Sequence, residues 1–349
     1  MDPAQLLSLI GAFRGRRVAI IGDVVADEFV YGRVARVSRE APVLILEYDS
    51  TEIVPGGAGN AANNVAALGG GASLVALVGR DEPGRRLVGA FHRRVDAKHL
   101  VRVNGAPTPT KTRILAGGVH SAKQQIVRID RAVPRLVDGK TRQAIERAAL
   151  AAVRRADAVL VSDYGSGVVT PRLVRTLAAA LKRAGMPVPV LVDSRHRLLD
   201  YAGLTMSTPN QSEVEEALGM RIGDNLRLLE QAGRQILERT RTQALLVTRG
   251  SRGMSLFVPD APTLHIPIFG SEYIVDVTGA GDTVVSTVAL ALAAGATFEA
   301  AARLANYAGG LVVMKRGTAT VSGDELRAAI DGGRVPRQRS TSGPGRNHG

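Results

Sequence analysis

Short apolar runs that end in small or polar residues recur along the chain: Val18–Ile21 before Gly22 and Asp23, Leu74–Val78 before Gly79, Val159–Val161 before Ser162 and Asp163, Val190–Val192 before Asp193, and Leu245–Val247 before Thr248. Unbroken runs of this length mark strands buried on both faces, and each is followed by an Ala-, Leu- and Arg-rich stretch at helical spacing. The alternation predicts an α/β fold with helices flanking a central, mostly parallel sheet. Two segments break the rhythm. At about 28–55 and 108–130, runs such as Val43-Leu44-Ile45-Leu46 and Lys111-Thr112-Arg113-Ile114-Leu115 are β-prone with no helix between them. They predict a small antiparallel sheet that covers one end of the main domain as a lid. From about residue 332 the chain runs through Arg334-Val335-Pro336-Arg337-Gln338-Arg339 into Ser, Gly and Pro without apolar period. One domain over 1–331 and a disordered basic tail over 332–349 are therefore expected.

Charge narrows the partners. The 349 residues carry 45 Lys and Arg against 32 Asp and Glu, a formal +13, but only six of the bases are Lys and the Arg are scattered. A nucleic-acid surface wants a basic stripe with aromatics to stack bases, and aromatics are 3% here. A small anionic substrate suits the balance better. The absence of Cys excludes a disulfide framework, a thiolate metal site and a Cys nucleophile, and suits the cytoplasm. Leu6–Ile10 precede Arg14, Arg16 and Arg17, the reverse of a secretory signal. The most apolar helix candidate, Thr283–Ala296, is shorter than the ~20 residues of a membrane span, so no membrane partner is expected.

The strongest chemical signal is Asp276-Val277-Thr278-Gly279-Ala280-Gly281-Asp282, which runs straight into an Ala- and Leu-rich helix. Small residues let backbone approach a ligand, and the helix start behind them offers unpaired N–H groups to an anion. A carboxylate in a phosphate cradle repels phosphate, and it makes sense there if Asp282 must take a proton from an attacking hydroxyl. Helix capping is the plain alternative for Asp282. Pro55-Gly56-Gly57-Ala58-Gly59-Asn60 reads as a glycine turn presenting the Asn60 amide to sugar hydroxyls. Its Gly57-x-Gly59-x-x-Ala62 spacing also matches a dinucleotide fingerprint, with Asp81 about where a ribose-binding acid would stand, so an NAD-binding oxidoreductase is a second reading. Asp27 follows the first strand, where ligands of open α/β sheets bind. Asn210 and Glu213 lie one turn apart at a helix start, placed to orient Mg²⁺ through water or simply to cap. Thr248-Arg249-Gly250-Ser251-Arg252-Gly253 is a polar turn after a buried strand, suited to nucleotide phosphates.

In their order and spacing, Val18–Asp81, Asn210-x-x-Glu213, Thr248-Arg249-Gly250, Asp276–Asp282, Ala305–Ala308 and Gly317–Ser322 resemble the PfkB, or ribokinase-like, carbohydrate kinases over about residues 15–330. The resemblance implies the ribokinase-like fold with a β-strand lid, ATP as phosphoryl donor, Mg²⁺, possible use of K⁺, and a homodimer joined through the lid. It implies that Asp27, Gly56, Gly57 and Asn60 hold the sugar, and that Asn210 and Glu213 handle Mg²⁺ and phosphate. Thr248, Arg249, Gly250, Gly253 and Asn306 would surround the nucleotide. Gly279, Ala280 and Gly281 would form the anion hole, Asp282 the base, and Asp276 with Ser322 a monovalent-cation site. A further set, including Arg36-Val37-Ser38, Gln124–Asp130 and Ser162-Asp163-Tyr164, is similar to the branch acting on the anomeric hydroxyl of D-glycero-β-D-manno-heptose 7-phosphate, a precursor of the ADP-heptose of lipopolysaccharide. Arg36, Lys111, Arg113 and Arg128 are then candidates for gripping substrate phosphate. The chain departs from that branch at Ser166 and at Ser194-Arg195, where cations are usual. No nucleotidyltransferase half follows the kinase motifs, so a single activity is expected.

Overall fold

The computed structural model describes residues 2–117, 123–131, 137–270 and 275–332. Nine strands form the main sheet in the spatial order Leu264–Ile266, Met254–Phe257, Ala244–Thr248, Met206–Ser207, Val190–Ser194, Ala158–Asp163, Arg17–Gly22, Gly71–Val75 and Val95–Asp96. From Ala244–Thr248 to Val95–Asp96 every pairing is parallel, and the two strands at the other edge pair antiparallel. Alternate side chains of each run go to opposite faces, as the pleat requires. Val18, Ile20 and Leu160 pack with helices Ala58–Ala67, Ala280–Ala293 and Phe298–Val312, whereas Ala19, Ile21 and Val161 meet Gly139–Val153 and Pro171–Arg183. Both faces are therefore apolar, which is why the strands read as unbroken runs. Burying one such Leu stabilises by roughly 1.5–3 kcal/mol, and Leu160→Ala would cost about 2–5 kcal/mol once the cavity is counted.

The apolar helix Ala280–Ala293 is buried almost all round between its two helical neighbours. Among the described residues no helix is long and apolar enough to cross a membrane. The run Leu74–Val78 divides at Ala76, whose carbonyl accepts the Val101 N–H at 2.9 Å. Leu77–Gly79 thereby leaves the main sheet and pairs with Val101–Val103.

A second sheet has the order Leu44–Gly57, Val24–Val37, Thr110–Gly117, Gln124–Arg131. It is two antiparallel hairpins, but their shared seam, Val24–Val37 against Thr110–Gly117, is parallel, which corrects the all-antiparallel expectation. The reason is topological: both hairpins rise from the same edge of the main domain, and their outgoing strands lie side by side. Register sorts the faces, because partners across adjacent strands share a side. Asp27, Lys111 and Asp130 share one side with Phe29, Arg113 and Arg128, while Val30, Ile114 and Val127 share the other with Thr112 and Ile129. The lid loop at 118–122 and the tail beyond Gly332 lie outside the described residues.

Candidate active site

Arg17–Gly22 leads directly into lid strand Val24–Val37, and lid strand Leu44–Gly57 ends at helix Ala58–Ala67. The lid is thus rooted at the carboxyl edge of the parallel sheet, where α/β ligands bind. Gly57 makes the corner with φ 58°, and a Cβ there would fall 2.5 Å from the Asp23 carbonyl oxygen. Its fingerprint-like spacing has no dinucleotide context, because the strand before it belongs to the antiparallel lid hairpin. Asp81 is likewise no ribose ligand: its carboxylate accepts the Gly84 N–H at 3.1 Å to cap a helix and the Thr108 hydroxyl at 2.6 Å. The oxidoreductase reading loses both supports.

Asp282 lies in the first turn of Ala280–Ala293, behind Gly279 at φ 77°. It is 3% exposed. Asn60 donates from Nδ2 to Oδ2 at 2.9 Å, and the Tyr164 hydroxyl donates to Oδ1 at 2.9 Å. Burial pushes the carboxyl up to about 6 against the pull of these two hydrogen bonds, with Asp27 adding to the rise and Lys111 opposing it. Asn60, expected at the sugar, has its amide committed elsewhere. It also donates to the Gly279 carbonyl at 3.4 Å and accepts from Asn64 at 3.0 Å, so it holds Asp282 from a fully buried position.

Asp27 accepts from Arg113 at 2.6 Å and from the Thr318 hydroxyl at 3.3 Å. Gly56 is required beside it, since a Cβ there would sit 2.3 Å from Asp27 Oδ2. Lys111 is the neighbouring cation. Burial lowers its pKa while Asp27 opposes the shift, and it forms no hydrogen bond or ion pair among the described residues. Arg128 shares this face of the lid but is exposed and held by both oxygens of Asp130 at 2.7 Å. Arg36 is exposed near the far end of Val24–Val37, about 30 Å of extended strand beyond Asp27, and the structure does not bring it to Asp282. Between the lid and the main domain opens a hollow of about 600 Å³ lined by Phe29, Tyr31, Arg113, Asp276 and Thr318. A larger one, about 710 Å³, opens around Arg17, Arg94 and Arg155 where the strands begin, and none of the groups around Asp282 line it.

The other motifs converge less closely. Asn210 and Glu213 form a reciprocal capping box, each side chain accepting the other's N–H at 2.9 Å. Burial raises Glu213, with the Asn210 N–H and Arg195 drawing it back. Asn210 bridges to Thr248, which joins the two nucleotide motifs at one edge. Arg249 donates to Gln211 at 3.3 Å. Gly250 turns with φ 57° in open space, whereas Gly253 serves packing, a Cβ there falling 2.0 Å from the Ile266 carbonyl. The Asn306 amide donates to the Pro267 carbonyl at 2.8 Å. Asp276 accepts the Thr278 and Gly317 N–H groups, both at 2.9 Å. Burial works against its ionisation, yet those bonds and Arg113 together hold it below the usual range. Ser322 is turned away to cap the last helix, donating to Glu325 at 3.0 Å and lining a hollow with Ile10 and Arg14 that Asp276 does not line.

Residues outside the sequence-derived set complete the arrangement. Asp23, raised by burial, accepts the Tyr164 N–H at 2.9 Å, the Ser166 N–H at 3.1 Å and the Ser166 hydroxyl. Ser166, where a cation is usual in the branch resembled, thus pins the turn that carries Tyr164. Burial, reinforced by Glu213 and Asp282, drives Asp193 well above the usual carboxylate range, with Arg195 opposing. Arg195 stands over the Tyr164 ring at 5.7 Å. Their common signal was position: each ends or follows a buried strand.

Solved structures of the same architecture include a ribokinase of Arabidopsis thaliana determined with ribose and ATP, at TM-score 0.67 and 21% identity over 91% of this chain and 99% of that one. Phosphofructokinase-2 of Escherichia coli gives TM-score 0.69 and 18% identity over 90% of this chain and 98% of that one. The fold is thus ribokinase-like, and a buried carboxylate at the glycine-led helix start gives this chain the equipment of a small-molecule kinase. Residues 16–324 match the pfkB family of carbohydrate kinases, and the chain belongs to that family. It is 42% identical over 320 residues, 90% of its length, to the bifunctional protein HldE of Azorhizobium caulinodans, and 43% identical over 331 residues, 94% of its length, to that of Caulobacter vibrioides. It spans 64% and 66% of the length of these relatives.

Proposed function

We propose that the protein transfers the γ-phosphoryl group of ATP to the anomeric hydroxyl of D-glycero-β-D-manno-heptose 7-phosphate, giving the 1,7-bisphosphate. The observation that carries the reading is Asp282, a carboxylate buried at the start of a glycine-led helix; burial pushes it up to about 6, where a general base is most useful. In the reaction the sugar oxygen attacks the γ-phosphorus, the bond to the β-bridging oxygen breaks, and Asp282 receives the hydroxyl proton. The N–H groups at Gly279 and Gly281 face the charge that develops, whereas the Ala280 N–H, expected beside them, donates to the Val277 carbonyl at 3.2 Å. Asp27, Gly56 and Gly57 with Lys111 and Arg113 take the sugar phosphate. Thr248, Arg249, Gly250 and the Asn210–Glu213 pair take the nucleotide with its Mg²⁺, which neutralises phosphate charge when bound. No step is assigned to a K⁺ at Asp276 and Ser322.

The apolar outer face of the lid, with Val127 and Ile129 exposed at 44% and 43%, supports a homodimer joined there. A kinase of this kind works where ATP is held, in the cytoplasm.

The test is ADP release with heptose 7-phosphate, hexose phosphates and free sugars. The heptose phosphate is expected to give the highest kcat/KM. Asp282→Asn is expected to lose about 10²–10⁴ in kcat, or ~3–5 kcal/mol, while binding ATP as before. Preference for a hexose phosphate would overturn the substrate assignment alone, and a fully active Asp282→Asn would overturn the base.

A further inference from the structure

We propose that Tyr164 is a positioning residue for phosphoryl transfer: its hydroxyl and the Asn60 amide hold the Asp282 carboxylate from its two oxygens, ionised and aimed at the incoming hydroxyl. The inference rests on Asp282 being the base and goes beyond it. Asn60 and Tyr164 stand 222 and 118 residues from Asp282 in the chain, yet each donates at 2.9 Å to a different oxygen. A carboxylate has about four lone-pair sites. With one donor on each oxygen its rotation is fixed, and a lone pair is left on each to receive the substrate proton.

Tyr164 is itself held on every side. Its N–H donates to Asp23 at 2.9 Å, tying it to the end of strand Arg17–Gly22. The next glycine, Gly165, turns at φ 82°, and the ring edge lies 3.5 Å from where a Gly57 Cβ would be. The ring thus packs on the corner that starts the helix bearing Asn60, so both donors share one support. Arg195 covers the ring at 5.7 Å from its centroid.

A phenol suits the task because it donates without bringing charge. Burial, then the charges of Asp282 and Asp193, raise Tyr164 well above its ordinary value, so it stays a donor throughout the working range. The charged groups facing Asp282 are Asp27 and Lys111, and those facing Tyr164 are Asp193 and Arg195. None of these four hydrogen-bonds to the phenol. Removing the hydroxyl therefore acts on Asp282 alone.

A tyrosine that merely filled space would, on becoming Phe, leave the pH profile where it was. A positioning donor would not, because a hydrogen bond to a carboxylate lowers its pKa and losing it raises it. In Tyr164→Phe the acid limb of kcat/KM is expected to move up by about one to two pH units, with KM for ATP unchanged. The loss is then roughly five- to fiftyfold at pH 6 and much smaller at pH 9. Incorporating 3-fluorotyrosine at position 164, a stronger donor of nearly the same shape, should move the limb down and serves if the Phe variant folds poorly. A uniform loss at every pH, or a limb unmoved in both variants, overturns the proposal. If the unaltered enzyme had no acid limb, or Asp282→Asn kept full activity, the base assignment would fall with it. An inactive Asp282→Asn beside an unmoved limb would sink Tyr164 only.

Discussion

At Asp282 chemistry and stability pull in opposite directions. Burial holds the carboxyl near 6 in the folded protein, against about 4 in an unfolded chain. Between those values the folded state keeps a proton that the unfolded state has released, so stability falls as pH rises through the window. Above pH 6 the cost is fully present, at most about 3 kcal/mol, since two pH units correspond to twice ~1.4 kcal/mol. Asn carries no charge there. Asp282→Asn is expected to be at least as stable as the unaltered protein at pH 7.5, with the advantage shrinking toward pH 4.5. Urea melts at both values measure it, and an equal gap at the two would contradict the assignment. Asp282 was readable as a candidate base because an acid closing a glycine turn has few other reasons to be there. Tyr164 was not, because local sequence carries no sign of what a side chain meets 118 residues away. The hydrogen bond from Asn60 to Asp282 at 2.9 Å was hidden for the same reason.

The glycine turn ahead of Ala280–Ala293 separates backbone need from ligand space. Gly279 is at φ 77°, and an added Cβ would lie 2.5 Å from the Asn60 amide nitrogen. Gly279→Ala should cost about 1–2 kcal/mol from the left-handed backbone alone and displace the amide from Asp282. At Gly281 a Cβ would meet nothing within 4 Å. Gly281→Ala, in a helical turn, is expected to be neutral or to stabilise by roughly 0.5–1 kcal/mol. It should still lose activity if the open space is where phosphate comes. Thermal melts beside turnover separate the two, and a stable, fully active Gly281→Ala would remove the anion from that place. Among the elements, the parallel strands were legible because double burial leaves unbroken apolar runs. The lid was legible as strand but not as pairing, because alternation fixes which side a residue faces and says nothing of which strand lies alongside. The same gap hides where Arg36 and Ser322 lie: Arg36 stands near the far end of a long strand, and the Ser322 hydroxyl donates to Glu325 at 3.0 Å in the helix it begins.

For the whole molecule, the proposed homodimer puts the lid to the test. Its outer side carries Val127 and Ile129, and Gln124–Arg131 is an edge strand with one flank unpaired among the described strands. An apolar patch of this kind invites a partner, and a second copy offers a self-complementary one. Ile129→Asp should therefore halve the mass seen by light scattering while leaving the main-domain melt nearly unchanged. A mass equal for both proteins would dismiss the lid as the joint.

Both hairpins of that lid leave the main domain side by side, and Asp27 and Lys111 stand directly opposite each other near the roots of their strands. In a lever the pivot travels least. Were the distal tips to swing, the pair at the roots would stay almost still relative to Asp282, so the site would keep its alignment with the door open.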